Sequence, residues 1–341
     1  MKKTLIAASV SALLLAAAGT ASANSLLFPF FTTKGGSVSS VSISGNTTAS
    51  GVLGVNPAPG SPLPAGFVGE NLHYVYNYAD PAVGGNVCAH FDQNGTITAN
   101  DLLQHSVTDP AAGGFGKASP SDGSRPVYLN VANTQGFMTV TNTSSAGTRA
   151  ISGDMLLVDP TTNLIFSYAG ISNGLDTTVA GNEGNFAAAA FQDANFNLSL
   201  YPVGAVNTTW YGLVTGDMSG AIAARANWDA QARLANNGFV YDNDENPSSG
   251  VAGKRISCLG NFSAADLAST AQISTLAPRG GLIHATATFP VAGTFLPGST
   301  TVASAYAGNG LAMYKIQIAT SAPAAPLANK VFIHRENGFA F

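Results

Sequence analysis

Charged residues are scarce in this sequence. Only 9% of its 341 residues are Asp, Glu, Lys or Arg, whereas a soluble domain usually carries about 25%. The 14 basic residues are outnumbered by 18 acidic ones, and the net charge is −4. This composition excludes disorder driven by charge repulsion. It also excludes nucleic acid as a partner, because binding it requires clustered Lys and Arg.

Long hydrophobic runs are also missing, except at the N-terminus. Lys2 and Lys3 precede the apolar run Leu5–Ala18, and Ala21–Ala23 has the A-x-A pattern of a cleavage site. The run is shorter than the roughly 20 residues of a transmembrane helix. Residues 1–23 are therefore predicted to be a cleaved signal peptide of bacterial type, and residues 24–341 to be exported without a transmembrane helix.

The sequence contains only two cysteines, Cys88 and Cys258. Both lie in the exported region, where the oxidising environment favours disulfides. A disulfide between them is the simplest interpretation, and it predicts that residues 24–341 form one disulfide-linked unit. Two buried free thiols are the alternative.

Short segments rich in Val, Ile, Thr, Tyr and Phe alternate with clusters of Gly, Pro, Asn and Asp, which is the pattern of an all-β chain. The sequence shows no regular alternation of strands and helices, so the parallel folds that usually bind nucleotide cofactors are not expected. We predict a mainly β fold, an antiparallel β-sandwich that is either one elaborated sandwich or two packed ones, with two short helices. The predicted strands are Ser37–Ile43, Leu72–Tyr78, Val87–Asp92, Gly136–Asn142, Asp154–Val158, Leu164–Ala169, Phe196–Pro202, Thr208–Val214, Leu282–Phe289, Leu311–Ile318 and Val331–Ile333.

Two segments carry helix signals. Ser219–Asn236 has apolar residues at helical spacing and is followed by Gly238, a typical helix stop. Ser263–Asp266 matches the capping box that begins a helix.

The densest acidic segment offers a candidate metal site. Asp242, Asp244 and Asn246 stand at alternate positions and present the oxygen ligands that Ca²⁺ prefers. Pro247 takes the place where an EF-hand loop has Gly, so the segment predicts a different kind of calcium loop. A solvated turn without a cation is the alternative, and no cofactor is required by the fold.

Two weaker patterns involve other chemistry. A hairpin of the second and third predicted strands would bring His73, His90 and Asp92 together as zinc ligands, or simply as a polar sheet face. Gly170–Gly174 matches the G-x-S-x-G pattern of hydrolases, with Ser172 as the nucleophile. That pattern normally requires a helix directly after the serine, and the residues that follow are poor helix formers.

The mature chain begins with an apolar segment, Leu26–Phe31. Such a segment must be buried, either as the first strand of its own sandwich or in a groove of another subunit by strand addition. Little charge also means little resistance to self-association.

These features together predict a non-enzymatic, exported β-rich protein of the cell surface or extracellular space with a structural or assembly role. Its expected partners are copies of itself or other cell-envelope components. Phe339 and Phe341 resemble the end of an outer-membrane β-barrel, which is the first alternative. A secreted hydrolase is the second.

Overall fold

The computed structural model describes residues 25–45, 69–79, 81–83, 88–98, 101–109, 124–143, 150–160, 164–172, 193–203, 205–215, 231–289, 310–319 and 331–336. The predicted signal peptide and the terminal Phe339 and Phe341 lie outside these residues. The chain divides into two compact units. The first contains residues 1–76 and 91–183, and the second contains residues 77–90 and 184–341.

Nine strands build the first two sheets. One sheet has the order β4-β3-β6-β1-β9 and the other has the order β5-β2-β7-β8. The strands are β1 (Ser25–Thr32), β2 (Val38–Gly45), β3 (Gly69–Ala79), β4 (Cys88–Thr98), β5 (Leu102–Ser106), β6 (Gln135–Asn142), β7 (Ile151–Asp159), β8 (Leu164–Ala169) and β9 (Ile171–Ser172), with short 3₁₀ segments at Lys34–Gly36 and Pro81–Val83.

The second unit has its own two sheets and two short α-helices. One sheet has the order β10-β16-β12-β13, with β14 also paired to β12, and the other has the order β15-β11-β17-β18. The elements are β10 (Asn195–Leu200), β11 (Val206–Thr215), β12 (Gln231–Asp242), β13 (Pro247–Ser249), β14 (Gly253–Ser257), β15 (Leu259–Phe262), α1 (Ala264–Leu267), α2 (Thr270–Arg279), β16 (Gly281–Thr288), β17 (Gly310–Ala319) and β18 (Val331–Glu336).

The predicted fold class is confirmed. The protein is mainly β, its sheets are antiparallel and pack in a sandwich-like manner, and the described part contains two short α-helices. Each of the eleven predicted strands corresponds to an observed one, and Leu164–Ala169 has the same bounds in both. Neither α-helix is long and apolar enough to cross a membrane.

One predicted helix is wrong where it can be compared. The C-terminal part of Ser219–Asn236, from Gln231 onward, belongs to β12, and the rest lies outside the described residues. Helix propensity is a weak preference that tertiary pairing overrides, and here β14 and β16 pair with β12 on its two sides. Gly238 is not a helix stop. It lies within β12, between Asn236 and Val240, where the register with β16 shifts, and it has a φ of 92°.

The predicted capping box is confirmed at the start of α1. The backbone N–H of Ser263 donates to Asp266 Oδ2 at 2.8 Å, and the Ser263 hydroxyl donates to the same oxygen at 2.9 Å. A second box between Ser269 and Gln272 begins α2. The segment therefore forms two helices that are separated at the extended residue Ala268.

The N-terminal apolar segment forms strand β1 inside its own unit. Leu26, Leu27, Phe28 and Phe31 are fully buried, and β1 lies between β6 and β9. Pro29 cannot donate a backbone hydrogen bond, and the register with β6 shifts between Phe28 and Phe31, where this residue lies. Of the two sequence interpretations, the first strand of its own sandwich is the observed one.

We expect β1 to be indispensable for the first unit. Deleting Ser25–Thr32 should unfold this unit, because a central strand is lost. Leu27→Ala should lower the free energy of unfolding by about 2–5 kcal/mol through loss of burial and a new cavity. The matched control is Leu102→Ala on β5, where the leucine is 52% exposed and the expected change is within about 0.5 kcal/mol. Urea denaturation followed by circular dichroism measures both, and equal effects would contradict the core assignment.

Candidate functional site

The two cysteines form a disulfide. Their sulfur atoms lie 2.02 Å apart, and both residues are fully buried. Cys88 begins β4, and Cys258 lies between β14 and β15, where its carbonyl accepts from the backbone N–H of Val214 at 2.9 Å. Both cysteines belong to the second unit. The disulfide therefore links residues 77–90 covalently to the remainder of that unit.

The acidic segment forms the turn between β12 and β13. Asp242 ends β12, and its Oδ1 accepts from the backbone N–H groups of Asp244 at 3.0 Å and Asn246 at 2.9 Å. The Asn246 amide also donates to Oδ1 and Oδ2 of Asp242, at 3.1 Å each. Asp242, Asp244 and Asn246 therefore lie together, as their alternate positions predicted. Asn246, however, turns its amide hydrogens, not its oxygen, toward Asp242.

A residue that the sequence pattern did not indicate completes this turn. Arg279, the last residue of α2, donates from Nη1 to Asp242 Oδ2 at 3.2 Å and also to Asp244 Oδ2. The pKa of Asp242 is lowered, first by the backbone hydrogen bond from Asn246, with further contributions from the Asn246 side chain, the backbone of Asp244 and the charge of Arg279. We call Asp242, Asp244, Asn246 and Arg279 the acidic turn. A cation that bound here would compete with the guanidinium.

The predicted zinc ligands are brought together only in part. His73 Nε2 lies 3.4 Å from Asp92 Oδ2, which fits the pairing of β3 with β4. Among the described residues, no three His, Cys, Asp or Glu side chains are grouped closely enough to hold a metal ion. His73, His90 and Asp92 therefore do not form the predicted zinc site, and a polar sheet face is the interpretation that remains.

The serine of the G-x-S-x-G pattern lies in a strand. Ser172 belongs to β9 and is paired with Leu26 of β1. A nucleophile elbow places its serine at a sharp turn from a strand into a helix. The position of Ser172 within a paired strand differs from that geometry.

A buried histidine lies among aromatic rings in the first unit. His105 on β5 is 1% exposed, and its ring makes edge contacts with Tyr74 and Tyr128. Nδ1 lies 2.9 Å from the Ser106 carbonyl, so this nitrogen carries the hydrogen, and Nε2 lies 3.4 Å from the Tyr74 hydroxyl. Burial lowers the pKa of His105 from 6.5 to about 4, although the hydrogen bond to Ser106 acts in the opposite direction. His105 is therefore neutral near pH 7.

The second unit contains a surface groove of about 330 Å³. We call it the Tyr201 groove. It is lined by the end of β10 and the following loop, the first residues of β11, and both helices: Leu200, Tyr201, Val203, Val206, Asn207, Thr208, Thr209, Ser263, Ala264, Ala265 and Ile273. Tyr201 and Val203 are 59% and 51% exposed. Two of the six exposed large hydrophobic side chains of the described part therefore lie at this groove.

The walls of the groove are held by hydrogen bonds. The backbone N–H of Val203 donates to the Ala277 carbonyl of α2 at 2.9 Å, and that of Val206 donates to the Pro202 carbonyl at 3.2 Å. On the opposite side, the capping box of Ser263 fixes the start of α1. The groove is thus formed by backbone segments that are tied to their neighbours.

The sequence contains a signal for this groove. Phe196, Leu198 and Leu200 alternate along β10 and are all buried, which places Tyr201 out of phase with the apolar face. Tyr201 and Val203 flank Pro202 and are both exposed, and contiguous exposed apolar surface is the feature that marks interaction sites.

No family model matches this chain, and neither the curated proteins nor the solved structures yield a similar protein.

Calcium binding stays a prediction for the acidic turn, and the position of Arg279 makes it testable. Arg279→Gln removes the competing cation, so Ca²⁺ should raise the melting temperature of this variant more than that of the wild type. A ligand that binds only the folded state adds about 2.7 kcal/mol at a hundredfold excess over Kd. Scanning calorimetry with Ca²⁺ and with a chelator measures the effect. Melting temperatures that Ca²⁺ leaves unchanged in both proteins would contradict a site here. If the double variant Arg279→Gln/Asp242→Asn loses the rise in melting temperature, the cation binds at Asp242.

The buried histidine predicts an acid-sensitive first unit. An unfolded chain binds a proton at His105 near pH 6.5, whereas the folded protein does so only near pH 4. The contribution of neutral His105 to the free energy of unfolding is therefore fully present above pH 6.5. It is lost as the pH falls toward 4, by up to about 3 kcal/mol. Urea unfolding at pH 7 and pH 4.5 should show this fall in the wild type and a smaller one in His105→Gln. If the free energy of unfolding falls equally with pH in the wild type and in His105→Gln, the buried His105 is not the cause of the acid sensitivity.

Proposed function

We propose that this chain is an exported, non-enzymatic β-rich protein of the cell surface or extracellular space, which acts by associating with copies of itself or with other envelope components. The signal peptide pattern and the low charge support export and association. The sandwich-like, antiparallel sheets suit a structural role, because they present strands at their edges.

The observation that carries the proposal is the composition of two outer strands in the first unit. Among the strands that the structure describes, β5 and β8 are the outer ones of the sheet β5-β2-β7-β8, and they contain no Asp, Glu, Lys, Arg or Pro. Leu102 on β5 is 52% exposed and Ile165 on β8 is 65% exposed. Natural edge strands are normally protected by charges, prolines or bulges, because unpaired backbone groups recruit further strands.

These edges support association by strand pairing. Pairing of β8 with β8 of a second copy would be isologous and would stop at a dimer, whereas pairing of β8 with β5 would be head-to-tail and could continue along a filament. Backbone hydrogen bonds supply affinity in such strand addition, and outward side chains supply specificity. The absence of like charges on either strand removes the repulsion that would oppose both arrangements.

Light scattering over a range of concentrations tests the proposal. The wild type should be larger than a monomer, and Ile165→Lys should shift it toward the monomer because a charge then opposes pairing at β8. Leu102→Lys should do the same only if β5 takes part in the pairing, as it does in the head-to-tail arrangement. Val251→Lys is the control, since Val251 is 72% exposed and lies in the second unit. All three are surface changes, expected to alter stability by less than about 0.5 kcal/mol.

Fractionation of the producing cells completes the test. The protein should be found in the medium, the surface wash or the outer-membrane fraction. Its intact mass should be that of a chain whose first residue is Asn24. A wild type that stays monomeric at every concentration would overturn self-association and leave another envelope component as the partner. Retention in the cytoplasm with an intact leader would overturn the proposal as a whole.

A further inference from the structure

The Tyr201 groove combines an exposed aromatic ring with uncharged polar groups. Asn207 is exposed, and Thr209 is half-buried, at the entry of β11. The Thr208 hydroxyl accepts from the Gln317 side-chain amide at 3.3 Å and keeps its own hydrogen to donate. Ser263 donates its hydroxyl hydrogen to Asp266, and its side chain accepts from the Asp266 backbone in the capping box, which leaves one lone pair to accept from a ligand. The groove therefore presents both donors and acceptors beside an apolar surface.

None of the described residues that line the groove carries a charged side chain. A phosphate or a carboxylate would find no cation among these lining residues. The nearby carboxylate of Asp266 is already engaged by the Ser263 hydroxyl and by Lys254, 3.3 Å away, so a basic peptide gains little there, and a neutral ligand is favoured. A purely apolar ligand such as an acyl chain would leave the amide of Asn207 and the hydroxyl groups of the threonines without hydrogen-bond partners, which is costly on burial. The matching ligand has an apolar face and a polar rim.

We propose that the Tyr201 groove binds a neutral saccharide. A pyranose ring carries C–H groups on its face and hydroxyl groups on its edge. The C–H face can pack on the negatively polarised face of the Tyr201 ring. Its hydroxyl groups can exchange hydrogen bonds with Asn207, Thr209 and Ser263, which offer amide and hydroxyl donors and acceptors.

Size and rigidity agree with this ligand. The volume of about 330 Å³ lies at the lower end of the range of about 300–1,000 Å³ for ligand pockets. It therefore suits a short stretch of a sugar chain, and the groove is open to solvent, so that a longer chain could extend beyond it. The hydrogen bonds of Val203, Val206 and Ser263 hold the walls in place, and a preformed site loses less entropy on binding.

Calorimetric titration of the purified protein with cellohexaose, maltohexaose and chitohexaose tests the proposal. We expect at least one of these neutral oligosaccharides to bind with a Kd of about 1 mM or lower. Tyr201→Ala should weaken that binding about tenfold, which corresponds to about 1.4 kcal/mol. Tyr201→Phe should retain most of it, because the ring face is preserved.

Phe239→Ala is the matched control, since Phe239 is an aromatic residue of the same unit that is 50% exposed and does not line the groove. Its affinity should equal that of the wild type. Circular dichroism should show that Tyr201→Ala keeps its fold, because the side chain is mostly exposed. Saturation-transfer NMR should show contact through the C–H face of the sugar.

Three results would overturn the proposal. The first is a failure of all three oligosaccharides to bind at about 10 mM, well above the expected Kd. The second is binding that Tyr201→Ala and Asn207→Ala leave unchanged. The third is displacement of the sugar from the groove by a neutral detergent or an uncharged peptide at far lower concentration, which would assign the groove to a lipid or a protein segment. None of these results bears on strand pairing in the first unit, so the two proposals can fail separately.

Discussion

The pairing of antiparallel strands in one register is the constraint on which the other features depend. Successive side chains of a strand point to opposite faces, so a slip by one residue would exchange the buried and the exposed set. On β5, Leu103 is 1% exposed whereas its neighbour Leu102 is 52% exposed. With so few charges, apolar burial must hold this register, since salt bridges can contribute little. The same alternation on β10 buries Leu200 and leaves Tyr201 at the surface.

Strand positions were predictable from local composition, because β-branched and aromatic residues between turn residues mark strands directly. The bounds of β8 follow from this composition, whereas the capping box of Ser263 follows from the spacing of Ser263 and Asp266, which is equally local. The helix predicted over Ser219–Asn236 is wrong from Gln231 onward for a physical reason: the spacing of its apolar residues fits a helix, but β14 and β16 pair with β12 along this part. Information of that kind is not local in the sequence.

The candidate sites also divide into features that are local in the sequence and features that depend on the tertiary structure. Asp242, Asp244 and Asn246 are close in sequence, so their convergence at one turn followed from their spacing. Arg279 is distant in sequence and reaches the turn only because α2 ends beside it. An acidic segment that looks like a cation site is consequently already supplied with a cation, and only the tertiary structure shows this. His105 is similar, since a histidine in a short strand gives no sign that Tyr74 and Tyr128, from two other segments, will lie against its ring.

The two proposed surfaces would recognise their partners through different chemistry, and the scarcity of charge is compatible with both. At β5 and β8 the recognising groups are backbone N–H and C=O, whose pairing depends little on sequence but is opposed by like charges on the side chains. At the Tyr201 groove the recognising groups are side chains, an aromatic face with amide and hydroxyl groups, and a nearby charge would attract ions and water in place of a neutral ring. A surface rich in Lys and Glu would suppress strand pairing and would favour charged ligands over sugars. Low charge is therefore the property that makes association through strands and binding of a neutral ligand compatible within one chain, because neither has to overcome electrostatic repulsion.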